Sequence, residues 1–314
     1  MKDNKSKHSK DLGGMLMVFA KHHAIRNSLL WRCKYGIRRF FKKTGGSVRG
    51  LNKKPREKLI IVSLTSIPSR IHAVPFVVDA LLNQTLPPDK IILYLNQEEF
   101  LAEKLPKNLI LQQQLGLEIV YCDNLKSHKK YFYVMQTYPE DIVITVDDDL
   151  KYSVDLVEKL YTSYLAHNHA VSAMRAHIIT FDDNNKLNPF DKWPVIDDEI
   201  MVGKESMSLL ATTGAGTLFP PYCLHRETFN KQNIKRTCLE ADDLWLKAMS
   251  VLQGTPVVLA APRCKLLTLK GTQDKTLYMT NRLGNNDKQM QQILAIYNDY
   301  NDSQATLLDT MRKS

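Results

Sequence analysis

One stretch constrains the fold of this chain more than any other: Ile142-Val143-Ile144-Thr145-Val146-Asp147-Asp148-Asp149-Leu150. Five consecutive β-forming residues run directly into three carboxylates. An unbroken apolar run of this kind suits a strand buried on both faces, as in a parallel sheet covered by helices. The acids then fall at the C-terminal end of the strand, where open α/β sheets bind their ligands. Three adjacent carboxylates repel one another, so they are either solvated or compensated by a divalent cation.

The flanking sequence supports such a sheet. Residues 59–65, 91–95, 117–121 and 170–174 read as further strands, and 256–260 as a late one. Helical spacing occupies 74–83, 98–114, 128–137 and 155–167, and 242–252 is amphipathic. Strands alternating with helices predict an α/β fold: a doubly wound, mostly parallel sheet flanked by helices. Residues 176–235, with their Asn, Asp, Pro and Gly clusters, look irregular. The polar C-terminal region carries a helix at 287–300. A chain of 314 residues accommodates one large domain of this type plus a small appendage.

Charge is unevenly spread. Residues 1–58 hold 17 Lys/Arg against 3 Asp/Glu, so the arm carries +14; the whole chain carries +10, which leaves −4 for the remainder. The longest apolar run of the arm, Met15 to Ala20, is far short of the roughly 20 residues of a membrane span. Basic residues resume immediately and no small-residue cleavage site follows, which argues against a signal peptide. Leu29, Leu30, Trp31, Ile37, Phe40 and Phe41 alternate with Arg32, Lys34, Arg38, Arg39, Lys42 and Lys43. A basic amphipathic helix over 15–43 suits an anionic membrane surface; a solvated leader is the alternative. No nucleic-acid module accompanies the charge, so nucleic acid is not an expected partner. The five cysteines (Cys33, Cys122, Cys223, Cys238, Cys264) are scattered and never spaced Cys-x-x-Cys. That argues against a disulfide framework or zinc knuckle and for a reducing compartment.

Glycine loops that cradle phosphates are missing: neither Gly-x-Gly-x-x-Gly after the first strand nor Gly-x-x-x-x-Gly-Lys-Ser/Thr occurs, and Gly-x-Ser-x-Gly is absent too. A bound nucleotide would need another neutraliser, and a divalent metal held by Asp residues supplies one. Three segments converge at the C-terminal edge of such a sheet. Thr65-Ser66-Ile67-Pro68-Ser69-Arg70 offers hydroxyls and a guanidinium to a base, ribose or phosphate, or is an ordinary turn. Asp147-Asp148-Asp149 suits Mg2+ or Mn2+, or is a charged turn before a helix. Glu240-Ala241-Asp242-Asp243-Leu244-Trp245-Leu246 places carboxylates where they compensate a helix dipole, or where one acts as a general base. Between the last two, Thr213-Gly214-Ala215-Gly216-Thr217 lets backbone approach a ligand closely. His225 is a metal-shell or capping residue, Trp245 a stacking platform for a ligand or core, and Trp193, in the irregular region, an aromatic platform.

These residues carry a resemblance. Thr65 to Arg70, Leu82-Asn83-Gln84-Thr85-Leu86-Pro87-Pro88-Asp89-Lys90-Ile91, Val146 to Asp149, and Ala241-Asp242-Asp243-Leu244-Trp245 are similar, in order, to motifs of GT-A glycosyltransferases. Bacterial family-2-like enzymes of surface-polysaccharide synthesis are the nearest in pattern, and the similarity covers about residues 59–260. It implies a GT-A-like catalytic domain over 59–265, preceded by the arm and linker at 1–58 and followed by a segment at 266–314 that closes over the donor. Lys270-Gly271-Thr272-Gln273 and Asn286-Asp287 are candidates for that closure. In such enzymes an Asp-x-Asp element binds the ribose and the metal on the nucleotide diphosphate. Carried over, Asp147 lies toward the ribose, Asp149 is the metal ligand, and Asp148 shares either task, with Asp147 a second candidate ligand. Asp242-Asp243 matches the Glu-Asp element, with Asp243 the base. The first position is Asp rather than Glu, which leaves the register open by one residue. Thr65, Arg70, Asp123 and Lys129 are nucleotide-side candidates.

The implied activity is transfer of a sugar from a nucleotide-sugar to a hydroxyl of a glycan or lipid-linked acceptor, with Mn2+ or Mg2+ as cofactor and inversion at the anomeric carbon. The implied location is the cytoplasmic face of the cell membrane, held there peripherally by the arm. A nucleotidyltransferase or other Asp/metal phosphoryl-transfer enzyme is one alternative, and a non-catalytic scaffold of the same fold another.

Overall fold

The computed structural model describes residues 49–101, 103–196, 199–262, 266–269, 272, 284–300 and 305–313. The membrane-surface stripe at 15–43, Cys33, Cys264, and Lys270, Gly271 and Gln273 of the closing segment lie outside the described residues.

The apolar runs become the buried strands. β1 (Ile60–Thr65) is followed by α1 (Val74–Leu82), β2 (Lys90–Asn96), α2 (Gln97–Phe100), α3 (Lys107–Gln113), β3 (Leu117–Cys122), α4 (Lys129–Thr137) and β4 (Ile142–Thr145). Next come β5 (Leu150–Lys151), α5 (Leu156–Ala166), β6 (Val171–Ala173), β7 (Ala176–Ile178), β8 (Glu205–Ser206), β9 (Leu209–Ala211) and β10 (Thr217–Phe219). Then follow α6 (Lys231–Thr237), α7 (Asp242–Gln253), β11 (Val257–Leu259), β12 (Leu267–Thr268), α8 (Asn286–Tyr297) and α9 (Leu307–Met311). The polar stretch expected as one helix over 98–114 is two short ones, because Pro106 has no N–H to continue a helix and instead starts α3.

The main sheet runs β3-β2-β1-β4-β10-β6-β11-β8. β3, β2, β1 and β4 are parallel neighbours, and β6 pairs in parallel with β11. The fold is thus the expected α/β sheet, mostly parallel and flanked by helices. Two strands break the pattern: β8 pairs antiparallel with β11 at the sheet's edge, and β10 lies antiparallel between β4 and β6, with Leu218 opposite Ile144 and Ser172. β4 therefore has a parallel neighbour on one side only. At three residues, β10 is too short to show alternation, and it lies inside the stretch read as irregular. Its place follows from tertiary need: β4 and β6 each have an edge whose buried backbone groups require partners.

Ile61, Ile92, Tyr94 and Val143 form one face, with Val134 of α4 packed on it. The alternate residues Ile60, Val62 and Leu64 are equally buried, as a sheet covered on both faces requires. A second, larger core lies around α7, where fully buried Trp245 meets Tyr297 of α8 edge-on at 5.6 Å. Met290 and Ile293 of α8 and Leu307 and Met311 of α9 join that core.

Much of the 82–91 motif is structural. The buried Gln84 amide donates to the Ala80 and Ser153 carbonyls and accepts from Val157 N, tying the end of α1 to the start of α5. Asp89 accepts from Ile60 N and from Arg56, which fixes the start of β1.

Candidate active site

β1 and β4 are adjacent and parallel, so their C-terminal exits are neighbours. The exit of β1 carries Ser66 and Arg70; that of β4 carries the three acids. Asp148 is almost wholly buried and accepts a hydrogen bond from the Ser66 hydroxyl. Arg70 spans two acids, with Nη2 at 3.2 Å from Asp148 Oδ1 and Nη1 at 2.9 Å from Asp149 Oδ2. Burial pushes the Asp148 carboxyl up to about 6, although Arg70 and Ser66 oppose it. Asp149 is also raised, by burial and by the charge of Asp147, again against Arg70.

Asp147 points the other way. Its side chain is 42% exposed and its Oδ1 lies 2.8 Å from Lys130 Nζ. Its N–H donates to the Gly214 carbonyl and the Tyr152 hydroxyl, at 3.2 and 2.7 Å. A Cβ on Gly214 would collide with the Asp147 carboxylate. The close approach foreseen for the 213–217 turn is thus an approach to Asp147, and glycine is required there for space. Gly216, with φ of 108°, is required for its backbone conformation.

Lys130 joins the two acidic motifs. It is buried in the first turn of α4, and the same Nζ lies 3.1 Å from Asp242 Oδ2. Asp242 and Asp243 open α7, and Thr213 holds both. Its hydroxyl donates to Asp242 Oδ2 at 2.8 Å and to Asp243 Oδ1, and its N–H donates to Asp243 Oδ1 at 2.9 Å. The two acids are thereby driven apart. Burial alone would raise Asp242, but Lys130 outweighs it and holds this carboxyl well below the usual range. Burial and the charge of Asp242 push Asp243 up to about 6, against Lys130. Neighbouring titratable groups held in different protonation regimes are a pattern of acid–base sites. Lys130 itself is held as a cation: burial opposes its charge, and Asp147, Asp242 and Asp243 more than compensate.

The remaining candidates stand as follows. The Thr65 hydroxyl is committed to the Tyr94 carbonyl at 2.7 Å. Lys129 is buried, which lowers its pKa, and it senses the charges of Glu99 and Asp148. Asp123 stands apart from the network, exposed and paired with Lys231. His225 Nδ1 accepts from Glu227 N at 3.3 Å and caps the turn Arg226–Phe229, with its ring edge-on to Tyr300. Trp193 is buried and donates to the Asn188 carbonyl, so it presents no open platform. Trp245 is core and donates to the Thr228 carbonyl.

Lys130 and Tyr152 were not singled out by sequence reasoning, and Thr213 was named only as part of the 213–217 turn. A signal for Lys130 existed. Two lysines open α4, where the helix dipole disfavours cations, and no acid in that first turn offsets them. Such a pair points to an anionic partner elsewhere in the chain.

Asp147 and Asp149 fit a hard divalent cation. Each uses one oxygen in its ion pair, leaving the other to a ligand. Gly214 lets the Asp147 carboxylate sit where a Cβ would otherwise be. Among the described residues no three His, Cys, Asp or Glu side chains form a complete metal cage. Mg2+ and Mn2+ do not need one, since one or two carboxylates plus phosphate oxygens and water suffice for such ions. Among the described residues no helix is long and apolar enough to cross a membrane.

No family model and no curated protein matches the chain. Solved structures resemble it distantly. One is glucosyl-3-phosphoglycerate synthase from Mycobacterium tuberculosis, in complex with Mn2+, UDP and glucosyl-3-phosphoglycerate: 15% identity, 37% of this chain and 43% of that one, TM-score 0.30. The match therefore spans less than half of the synthase. A mannosyltransferase from Pyrobaculum calidifontis, in complex with GDP-Man and Mn2+, is 10% identical over 94% of this chain and 77% of its own, TM-score 0.48. A 2-C-methyl-D-erythritol 4-phosphate cytidylyltransferase from Thermus thermophilus is 13% identical over 73% of this chain and 100% of its own, TM-score 0.41. At these scores none of the three fixes a family or an activity for this chain.

Proposed function

We propose that this protein is a GT-A-like glycosyltransferase, moving a sugar from a nucleotide-sugar to a hydroxyl of a glycan or lipid-linked acceptor with inversion. One observation carries this reading. The two acidic motifs, far apart in sequence, meet in one network through Lys130, at the sheet edge where open α/β folds bind ligands. One motif suits a metal and diphosphate, and the other suits a proton acceptor.

Asp149 and Asp147 would hold Mn2+ or Mg2+. When bound, the ion supplies charge neutralisation to the departing diphosphate. Arg70 adds a second cation beside these acids, and its buried Nε has no hydrogen-bond partner among the described residues, so it remains available to a phosphate oxygen. Thr65, Asp148, Lys129 and, at the rim, Asp123 belong to the nucleotide side. Asp243 takes the proton of the acceptor hydroxyl. Asp242, locked as an anion by Lys130, raises the basicity of Asp243. The C–O bond to the acceptor forms as the bond to the diphosphate breaks, and the bond electrons leave with the diphosphate. The basic stripe at 15–43 would hold the enzyme against an anionic membrane, next to a lipid-linked acceptor of polysaccharide synthesis.

A panel of UDP-, GDP- and CMP-sugars, scored for Mn2+-dependent binding and slow hydrolysis, tests the activity. Asp243→Asn should keep donor binding and lose transfer; full transfer by that variant would remove Asp243 from the base position. Unchanged membrane partition after deletion of residues 1–45 would remove the arm from the scheme.

A further inference from the structure

Lys247 is the buried charged group that the proposed reaction leaves unused. It lies one turn after Asp243 on α7, 3% exposed, and its Nζ has no hydrogen-bond partner among the described residues. It lines a small cavity of about 10 Å³ together with Asp243, Thr213 and Ser250, among the apolar side chains of Val171, Ala211, Phe219, Leu246 and Val257. An orphaned ammonium in such a place is costly. A cavity of roughly 10–15 Å³ is the least that holds one water, and a buried water needs two or more polar partners. This cavity meets both conditions.

We propose that Lys247 is a positioning residue for Asp243. Through one water in this cavity, its amine holds the Asp243 carboxylate oxygen that Thr213 does not bind and receives the proton that Asp243 takes from the acceptor. This rests on the assignment of Asp243 as base. The acceptor O–H bond breaks and its electrons form the new glycosidic bond. The proton passes to Asp243 and then, through the water, to the free amine, which becomes an ammonium. The amine is re-formed by loss of the proton to solvent when product leaves. Burial lowers Lys247 to about 7, so both forms are populated near neutrality. The groups facing the pair are few. Asp242 on α7 and Lys130 on α4 act on Asp243, His128 and Lys130 act on Asp242, and Lys247 faces Thr213, Ser250 and the apolar wall.

The first readout needs no substrate. In protein labelled with 13C at lysine Cε and aspartate Cγ, the Asp243 and Lys247 signals are assigned with Asp243→Asn and Lys247→Met and titrated by NMR. Lys247→Met removes the ammonium that favours ionised Asp243, so the Asp243 midpoint should rise by about one pH unit. By linkage, Asp243→Asn should lower the Lys247 midpoint by the same amount. The acid limb of transfer should move up with Asp243 in Lys247→Met, a roughly fivefold loss at pH 6 for a one-unit shift. Lys247→Arg, which keeps a cation but cannot take up a proton, should restore the Asp243 midpoint without restoring the rate. Unmoved midpoints in the two single variants would overturn the proposal, and so would an acid limb that ignores a measured Asp243 shift. Should Lys247→Met not fold, the Lys247 midpoint in wild type and Asp243→Asn decides alone. If Asp243→Asn keeps full transfer while the midpoints remain coupled, the base assignment fails and the Asp243–Lys247 pairing stands.

Discussion

Replacing Lys130 by Met should destabilise the protein in a pH-dependent way. Nζ lies between Asp147 and Asp242, at 2.8 and 3.1 Å. The Asp147 side chain is 42% exposed, so solvent screens it and its share is discounted. Asp242 is only 9% exposed, and loss of its cation strands a buried carboxylate. Removing one partner of such a pair costs about 3–5 kcal/mol. For a domain of this size that is a fall in Tm of about 6–20 °C. The sign of the pH effect follows from Asp242. In wild type its carboxyl is depressed by Lys130, so it adds stability above its unfolded pKa, and that stability is lost as pH falls through the folded value. In Lys130→Met, burial is opposed mainly by His128 and the Thr213 hydroxyl, and the folded value rises above the unfolded one. The carboxylate then costs stability at neutral pH, and protonation relieves the cost as pH falls. Urea denaturation of both proteins at about pH 7.5 and about pH 4.5 should show a gap that shrinks by more than half at the lower pH. Lys130→Met/Asp242→Asn should recover about 2 kcal/mol of the loss at the higher pH. A variant as stable as wild type at both pH values would refute the linkage of the two acidic motifs through this lysine.

Other consequences are open to measurement. Gly214→Ala drives a methyl into the Asp147 carboxylate and should weaken Mn2+-dependent donor binding at least tenfold by calorimetry, at a stability cost of about 1–3 kcal/mol. Asp149→Ala should abolish metal-dependent donor binding while leaving the far-UV circular dichroism spectrum unchanged. Transfer in wild type should fall on acidification through about pH 6, where Asp243 protonates, rather than near the pH 4 of an ordinary carboxylate; a flat rate down to pH 5 would remove Asp243 as base. Trp245→Ala, at a fully buried site, should cost about 3–5 kcal/mol by thermal or urea denaturation.

Sequence carried the strands that end in chemistry, because β1 and β4 are apolar runs long enough to be read without tertiary context. It also carried the acids, because a carboxylate triplet after such a run has few neutral explanations. It did not carry β10, whose three residues are placed by the needs of β4 and β6 and not by their own pattern. The division of labour within each acidic motif was equally hidden. Asp148 and Asp149 differ from Asp147 chiefly through Arg70, Ser66 and Lys130, and Asp242 differs from Asp243 chiefly through Lys130. Those partners are brought in by the crossing of β1, α4 and the 213–217 turn over one sheet edge. Trp193 shows the converse: an aromatic in an irregular region suggested an open platform, and the packing of Phe190 against it makes it core.

The most direct measurement is the identity of the small product. Purified protein is incubated with Mn2+ and a UDP- or GDP-sugar, and separately with Mn2+, a nucleoside triphosphate and a sugar phosphate. Release of the nucleoside diphosphate from a nucleotide-sugar, lost in Asp149→Ala and on chelation of the metal, is the predicted result. Release of pyrophosphate from the triphosphate, with no turnover of any nucleotide-sugar, would contradict the account and make the enzyme a nucleotidyltransferase.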